Sequence, residues 1–172
     1  MKKYWWVICL VGCVCGGVLA LLVWHGGNVY HGTGYTVHYP EGWKPVPFEL
    51  VDVAFVAPPR DAEQDFRSNI NIVIAAGGED ISTSGKTFQN IVQSLDSPDN
   101  HFKVLRMEDG VLGGRKYSSL EYAFTRQGNA LQGTVYLVEA VKTYIFSYTT
   151  LESQHAAYQD AFVSMITSLH VD

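Results

Sequence analysis

Residues 116–149 read KYSSLEYAFTRQGNALQGTVYLVEAVKTYIFSYT, and this stretch decides the fold. Aromatic and β-branched side chains, which favour strands, fill three of its segments. The segments are Lys116–Thr125, Leu131–Val141 and Thr143–Thr149. Only the turn Gln127-Gly128-Asn129 and a link near Lys142 separate them, and strands joined by such short links run antiparallel side by side. The stretch therefore predicts three neighbouring strands of an antiparallel sheet.

Further strand segments lie upstream of this stretch. In Asn69–Ala75 the side chains alternate, so that Ile70, Ile72 and Ile74 share one face of the predicted strand. The other predicted strands are Tyr35–Tyr39, Val51–Ala57 and Phe102–Met107, the last joined through a turn at Glu108-Asp109-Gly110 to a strand that includes Val111 and Leu112. The sheet is therefore expected to contain strands from most of the chain.

Two segments have the period of an amphipathic helix instead. In Ser84–Leu95 the apolar residues Phe88, Ile91, Val92 and Leu95 recur at helical spacing. The segment from about Glu152 to Leu169 has an apolar stripe of Tyr158, Ala161, Phe162, Met165, Ile166 and Leu169. A run of strands with two such helices predicts an α+β domain in which helices pack on an antiparallel sheet.

Residues 4–24 form a hydrophobic run without a charge, YWWVICLVGCVCGGVLALLVW. A helix of this length spans roughly 31 Å, about the thickness of a hydrocarbon core. Lys2 and Lys3 precede the run, and the next basic residue is Lys44. The positive-inside rule then predicts a protein of the cell membrane with a cytoplasmic N-terminus and an extracytoplasmic domain, either periplasmic or at the cell surface.

Three interpretations of this segment remain open. It is best explained as an uncleaved transmembrane signal anchor, because the run stays apolar through Trp24. Leu10-Val11-Gly12-Cys13 also resembles the lipobox of lipoprotein signals, which would make Cys13 the lipidated residue. The third interpretation is a cleaved signal peptide. A Cys13→Ala variant separates the first two, because only lipidation depends on that thiol.

The chain is accordingly divided into three parts. Residues 1–24 are the membrane anchor or lipoprotein signal, residues 25–33 are a Gly-rich spacer, and residues 34–172 are the folded domain. The spacer is too short to let the domain move far from the membrane. A contact between the domain and other proteins at the membrane surface is therefore expected.

Charge and cysteine content exclude several classes of function. The residues after the hydrophobic run include ten Lys and Arg and all 17 Asp and Glu of the chain, which gives this part a net charge of −7. This balance argues against nucleic acid as a partner and against a polybasic contact with anionic lipid. The three cysteines all lie within the first 15 residues, so the domain has no disulfide and no cysteine-based metal site.

No motif in the domain predicts catalysis. The chain lacks Gly-x-Ser-x-Gly, and Ser84-Gly85-Lys86-Thr87 resembles only the end of a phosphate-binding loop, which helix capping explains better. No histidine pair has a metal-binding spacing, so neither a metal site nor a cofactor is predicted. The weaker candidates are His31 or His38 with a carboxylate, the strand carboxylates Glu121 and Glu139, and an acidic loop of Asp61, Glu63 and Asp65 that could meet calcium.

Each of these candidates also has a simpler explanation. The strand carboxylates are expected to face solvent or the basic residues Arg115, Arg126 or Lys142, and the acidic loop is expected to be solvated. Trp43 and five strand tyrosines could line a ligand groove, although core packing is the default for aromatic residues at alternating strand positions. The tyrosines are Tyr117, Tyr122, Tyr136, Tyr144 and Tyr148.

The order of the elements resembles the PsbP-like superfamily. The stretches that carry the resemblance are Gly34–Trp43 (GYTVHYPEGW), Val53-Ala54-Phe55 followed by Pro58, Asn69–Ile74 (NINIVI), Leu112–Tyr117 (LGGRKY) with Leu120-Glu121-Tyr122, Val141–Thr150 (VKTYIFSYTT), and the closing Met165–Leu169 (MITSL). The resemblance implies an α-β-α sandwich around a central antiparallel sheet. It also implies a non-catalytic role and no shared active site.

These observations lead to one functional expectation and one alternative. The expected protein is a non-enzymatic, membrane-tethered, extracytoplasmic binding or scaffold domain that assists the assembly of envelope complexes. Its contacts are expected near Pro58–Arg67 or Glu108–Arg115. The alternative is an extracytoplasmic domain that binds a small molecule or a metal in a pocket between sheet and helix.

Overall fold

The computed structural model describes residues 28–49, 51–59, 66–75, 84–96 and 100–172. The strands in these ranges are β1 (Asn28–Gly32), β2 (Tyr35–Tyr39), β3 (Lys44–Phe48), β4 (Val51–Val56), β5 (Asn69–Ile74), β6 (Lys103–Leu112), β7 (Arg115–Arg126), β8 (Asn129–Glu139), β9 (Thr143–Leu151) and β10 (His170–Val171). The helices are α1 (Ser84–Leu95) and α2 (His155–Thr167), the latter preceded by a 3₁₀ turn at Glu152–Gln154.

Seven of the strands form one antiparallel sheet in the order β3-β4-β5-β9-β8-β7-β6. β9, β8 and β7 are neighbours in this sheet and form an antiparallel meander, as the sequence predicts. The β7–β8 turn is at Gln127 and Gly128, whose φ angles of 51° and 80° are those of a two-residue hairpin turn. β1, β2 and β10 form a separate small antiparallel sheet.

Each face of the large sheet is covered by one helix. On the α2 face, Phe162, Met165 and Ile166 pack with residues of β4, β5, β8 and β9, and the small sheet joins the same core. On the α1 face, Phe88, Ile91 and Val92 pack with residues of β7 and β8. The expectation of an α+β domain with helices on an antiparallel sheet is therefore confirmed for the described residues.

Strand β6 differs from the sequence prediction. Glu108-Asp109-Gly110 was expected to be a turn, but all three residues lie inside one continuous strand that pairs with β7. The chain reverses instead at Gly113 and Gly114, with φ angles of 57° and 78°. Glycine adopts these left-handed angles without steric cost, whereas Glu108 and Asp109 do so less readily.

Three further strands lie where no strand was predicted. β1 falls inside the predicted spacer of residues 25–33. All residues of β1 pair with β2, and the ring of Tyr30 packs edge-on against the ring of Phe55 at 5.4 Å. β3 contains Pro45 and Pro47, which weaken a strand signal, and β10 has only two residues. β1 and β3 pair with the strand that directly follows each of them, whereas β10 pairs with the distant strand β2.

A glycine in β8 leaves room for a tyrosine side chain to cross the sheet. Gly133 lies opposite Tyr122 of β7 on one side and opposite Thr149 of β9 on the other. The ring of Tyr122 lies over Gly133, so that a Cβ atom there would be 2.5 Å from Tyr122 Cζ. The Tyr122 hydroxyl reaches the Thr149 side chain in a hydrogen bond. One aromatic side chain thus links the three neighbouring strands β7, β8 and β9.

None of the helices in the described ranges is long and apolar enough to cross a membrane. The predicted anchor of residues 4–24 and the candidate lipidation site Cys13 lie outside those ranges.

Candidate functional site

The outer strand β6 carries an exposed row of apolar side chains. Val104, Leu105, Met107 and Val111 are 38%, 42%, 56% and 68% exposed. β6 is an end strand of the large sheet, so its outer side pairs with no other strand in the described residues. We call the whole strand, the ten residues Lys103–Leu112, the β6 edge. An exposed apolar strand at a sheet edge is a template for pairing with another chain.

The opposite end strand, β3, is protected against such pairing. Its sequence Lys44-Pro45-Val46-Pro47-Phe48 contains two prolines, which have no N–H group to donate to a neighbouring strand. β3 is also half as long as β6, five residues against ten. The β6 edge has no proline. The sheet therefore has one end strand that blocks pairing and one that permits it.

A polar cluster lies on the α2 face beside the β6 edge. Arg106 forms an ion pair with Glu108 (2.6 Å between Nη2 and Oε2) and lies 4.0 Å from Glu121. Gln132 Nε2 donates a hydrogen bond to Glu121 Oε1 at 2.6 Å. The Tyr117 hydroxyl donates a longer hydrogen bond to Glu108 at 3.4 Å. We call these five residues, Arg106, Glu108, Tyr117, Glu121 and Gln132, the Glu121 cluster. The cluster contains both positive and negative side chains near the end of the sheet.

The two strand carboxylates singled out by the sequence do not form a pair. Glu121 lies opposite Thr134, and Glu139 is five residues further along β8, an odd number of positions. Successive side chains of a strand alternate between faces, so Glu121 and Glu139 lie on opposite faces of the sheet. The basic partner of Glu121 is Arg106 rather than the predicted Arg115, Arg126 or Lys142. An acid–base dyad of these carboxylates is excluded.

One histidine lies between helix α2 and the sheet. His155 begins the helix, its Nε2 is 3.3 Å from the Thr134 hydroxyl, and its ring lies 5.5 Å from the ring of Tyr148. Burial lowers the pKa of His155, and the nearby Glu121 carboxylate opposes this by raising it. The net lowering means that the folded protein favours the neutral imidazole.

The lowered pKa of His155 predicts an acid-sensitive stability. In the unfolded chain this histidine takes up a proton near its ordinary pKa of 6.5, whereas the folded chain resists protonation. The free energy of unfolding should therefore be fully retained above about pH 6.5 and fall as the pH is lowered below that value. Chemical denaturation of the full chain in detergent at pH 7.5, 6.5 and 5.5 measures this change.

The control for this prediction is a second histidine variant. His155→Gln should lose part of the decrease between pH 6.5 and 5.5, whereas His38→Gln, at an exposed position in β2, should behave like the parent chain. Equal pH dependence in the parent and His155→Gln would rule out a contribution from His155.

The Thr134–His155 pair does not have the properties of a catalytic nucleophile and base. The Thr134 side chain is only 4% exposed and lies under helix α2, so a substrate cannot reach its hydroxyl. Among the described residues, no group of three or more His, Cys, Asp or Glu side chains could hold a metal ion. The proposed pairing of His31 or His38 with a carboxylate at a metal site thus has no support there.

The other predicted candidates lie in the core, at a helix start or outside the described residues. Trp43 is buried and packs edge-on against Tyr158 at 5.5 Å, and Tyr122, Tyr136, Tyr144 and Tyr148 are buried as well. Tyr117 is half-buried and contacts Tyr136. Ser84–Thr87 form the first turn of α1. Asp61, Glu63 and Asp65 lie outside the described ranges.

The sequence carries the order of elements of a known family over nearly the whole fold. A sequence model of the PsbP family matches residues 26–171, which include all ten strands and both helices described above. The chain belongs to the PsbP family. A search of curated proteins returned no match to this PsbP-family chain.

Solved structures confirm the fold of this PsbP domain. Cyanobacterial PsbP (CyanoP) from Synechocystis sp. PCC 6803 is 23% identical, with a TM-score of 0.59 over 84% of this chain and 92% of that chain. LpqN of Mycobacterium tuberculosis, described as involved in cell envelope biogenesis, is 13% identical, with a TM-score of 0.60 over 85% of each chain. PA94 of Pseudomonas aeruginosa, a protein of unknown function, is 15% identical, with a TM-score of 0.55 over 85% of this chain and 97% of that chain.

The candidate surface of the PsbP domain overlaps one of the two contact regions predicted from the sequence. Glu108–Arg115 was predicted as a contact region, and it overlaps the second half of the β6 edge. The first half, with Val104 and Met107, was not singled out. Its signal in the sequence is weak, because the charged Asp109 interrupts the alternation of apolar Met107 and Val111 with polar neighbours.

Proposed function

We propose that this protein is a non-catalytic, membrane-tethered, extracytoplasmic domain that binds another protein through its β6 edge. The observation that carries the proposal is the ten-residue end strand β6, which has four exposed apolar side chains and whose outer side pairs with no other strand in the described residues. An extended segment of a partner can add to such a strand through main-chain hydrogen bonds, and neighbouring side chains then supply specificity. The Glu121 cluster lies where it can supply polar contacts of this kind.

The tether and the location are supported by the hydrophobic run of residues 4–24 and by the positive charges that precede it. The first described strand begins at Asn28, only a few residues after that run. A domain attached so closely samples a thin layer next to the membrane, which raises its effective concentration for partners there. The similarity in fold to LpqN, which is involved in cell envelope biogenesis, is compatible with an envelope role.

Photo-crosslinking in intact cells tests this proposal. A benzoylphenylalanine residue is introduced at Met107 on the β6 edge and, as the matched control, at Phe48 on the proline-blocked strand β3, where the side chain is 62% exposed. After irradiation, the membrane fraction is analysed for adducts of the full chain. We expect strong adducts from position 107 and weak ones from position 48.

Two outcomes contradict the proposal. Adducts that form equally from both positions would show that random collision, rather than the β6 edge, determines the contacts. Recovery of the chain in the soluble fraction would show that the chain is not attached to the membrane.

A further inference from the structure

We infer that the partner of the β6 edge is a second copy of this chain, paired antiparallel with β6 around a twofold axis at Met107. This inference rests on the proposed function, because it names the protein that the edge binds. The two end strands, the charge order along β6 and the apolar residues on its α1 face each support it.

The end strands of the sheet favour a closed pair of copies. If both ends were open, β6 of one copy could add to β3 of the next, and such head-to-tail contacts would continue into a filament. Pro45 and Pro47 obstruct that pairing because β3 cannot donate at those positions. Pairing of β6 with β6 uses the same surface on both copies and therefore stops at a dimer.

The charges of β6 select one register for this pair. In an antiparallel pair, directly opposed residues point to the same face of the sheet. The twofold axis must therefore pass through a residue that opposes its own copy, because an axis between two residues would oppose neighbours that point to different faces. An axis at Met107 places Arg106 of each copy opposite Glu108 of the other, which gives two pairs of opposite charge. An axis at Arg106 or at Glu108 would instead oppose two like charges.

The same register joins the apolar side chains on the α1 face. Val104, Met107 and Val111 lie opposite Tyr122, Leu120 and Lys116 of β7, which places all three on one face. The bulge between Val104 and Arg106 leaves Leu105 as the extra residue, so that Val104 lies opposite Asp109 of the other copy and diagonal to Val111. Met107 then contacts Met107, and three exposed apolar side chains of each copy become covered.

Charges at a sheet edge usually prevent pairing, and β6 carries four of them: Lys103, Arg106, Glu108 and Asp109. They prevent it when every register opposes like charges. Here the Met107 register neutralises the two central charges of each copy. The ion pair that Arg106 forms with Glu108 within one chain, at 2.6 Å, shows that both side chains already lie on the α2 face and within reach of each other.

Cysteine crosslinking of the full chain in detergent tests the register. In a Cys9→Ser, Cys13→Ser, Cys15→Ser background, Met107→Cys should form a disulfide-linked dimer under mild oxidation. Val111→Cys alone should not, because the two copies of residue 111 are separated by eight strand positions, roughly 27 Å. Val104→Cys combined with Asp109→Cys should form the dimer, because these two positions are directly opposed in this register.

A charge exchange tests the same register without cysteine. Arg106→Glu or Glu108→Arg alone replaces both pairs of opposite charge with like charges and should weaken dimerisation roughly tenfold in sedimentation equilibrium. The double variant should recover the association of the parent chain. Circular dichroism verifies that each variant is folded.

The outcomes separate this inference from the proposed function. A chain that is monomeric in both tests, while benzoylphenylalanine at position 107 captures a protein of a different mass, overturns the dimer and leaves the proposed function standing. Crosslinking from residue 111 alone as strong as from residue 107 overturns the register. A monomeric chain with no adduct from position 107 overturns both the dimer and the proposed function.

Discussion

Replacing Gly133 with alanine is expected to lower the free energy of unfolding by about 2–4 kcal/mol. The added Cβ would lie 2.5 Å from Cζ and 2.7 Å from the hydroxyl oxygen of Tyr122, closer than non-bonded atoms approach. The ring is held between β7 and β9 and is 5% exposed, so it cannot move outward without losing its contacts. Moving it would also break the hydrogen bond to Thr149.

Gly85→Ala is the matched control for this substitution. Gly85 lies in the first turn of α1, and an added Cβ there meets no atom within 4 Å. Alanine is the better helix former, so this variant should be neutral or more stable by up to about 1 kcal/mol. Urea denaturation of the full chain in detergent measures both variants.

A double variant tests the cause of the loss at Gly133. Tyr122→Ala removes the ring, so adding Gly133→Ala to it should cost much less than Gly133→Ala alone. If Gly133→Ala were as harmless as Gly85→Ala, the close approach of the Tyr122 ring would not constrain the native sheet. If its cost were unchanged in the absence of the ring, the loss would arise from the backbone rather than from the contact.

Local patterns predicted those elements whose residues alternate or repeat without interruption. Helix α1 was predicted at Ser84–Leu95 and is observed there, because its four apolar residues give a clear helical period. The β7-β8-β9 meander was predicted for a similar reason, since its strands are long and its links short. Such elements carry their own signal, and pairing or packing only adds to it.

Other elements depend on contacts between distant residues. Gly110 is part of a turn signal in the sequence, yet it lies in β6 opposite Tyr117, whose ring covers it. The Arg106–Glu121 contact depends on the register between β6 and β7, which no local pattern determines. The candidate surface was therefore predictable only in part: Glu108–Arg115 was named from the sequence, but Val104, Met107 and the position of β6 at the end of the sheet were not.

The largest loss of stability is expected for Phe162→Ala, about 3–5 kcal/mol. Phe162 lies on helix α2, and its side chain is fully buried. The centre of its ring is 5.0 Å from the ring centre of Tyr148 and 5.6 Å from that of Tyr136. These tyrosines lie on β9 and β8, so Phe162 holds the helix against the middle of the sheet. Truncation would leave a cavity and remove two aromatic contacts, each contributing about 0.5–1.5 kcal/mol beyond the buried area.

Phe48→Ala makes the same chemical change at a surface position. Phe48 lies on β3 and is 62% exposed, so its truncation should alter stability by no more than about 0.5 kcal/mol. Phe162→Leu keeps most of the buried volume and should cost less than Phe162→Ala. Urea denaturation of the three variants beside the parent chain gives the comparison.

The order of these three variants decides how helix α2 is attached. A large loss for Phe162→Ala, a smaller one for Phe162→Leu and almost none for Phe48→Ala means that buried volume under α2 maintains the layered core. Equal losses for Phe162→Ala and Phe48→Ala would contradict the burial of Phe162. Because a domain of this size has only about 5–15 kcal/mol of total stability, the loss expected at Phe162 removes a large share of it and lowers the melting temperature.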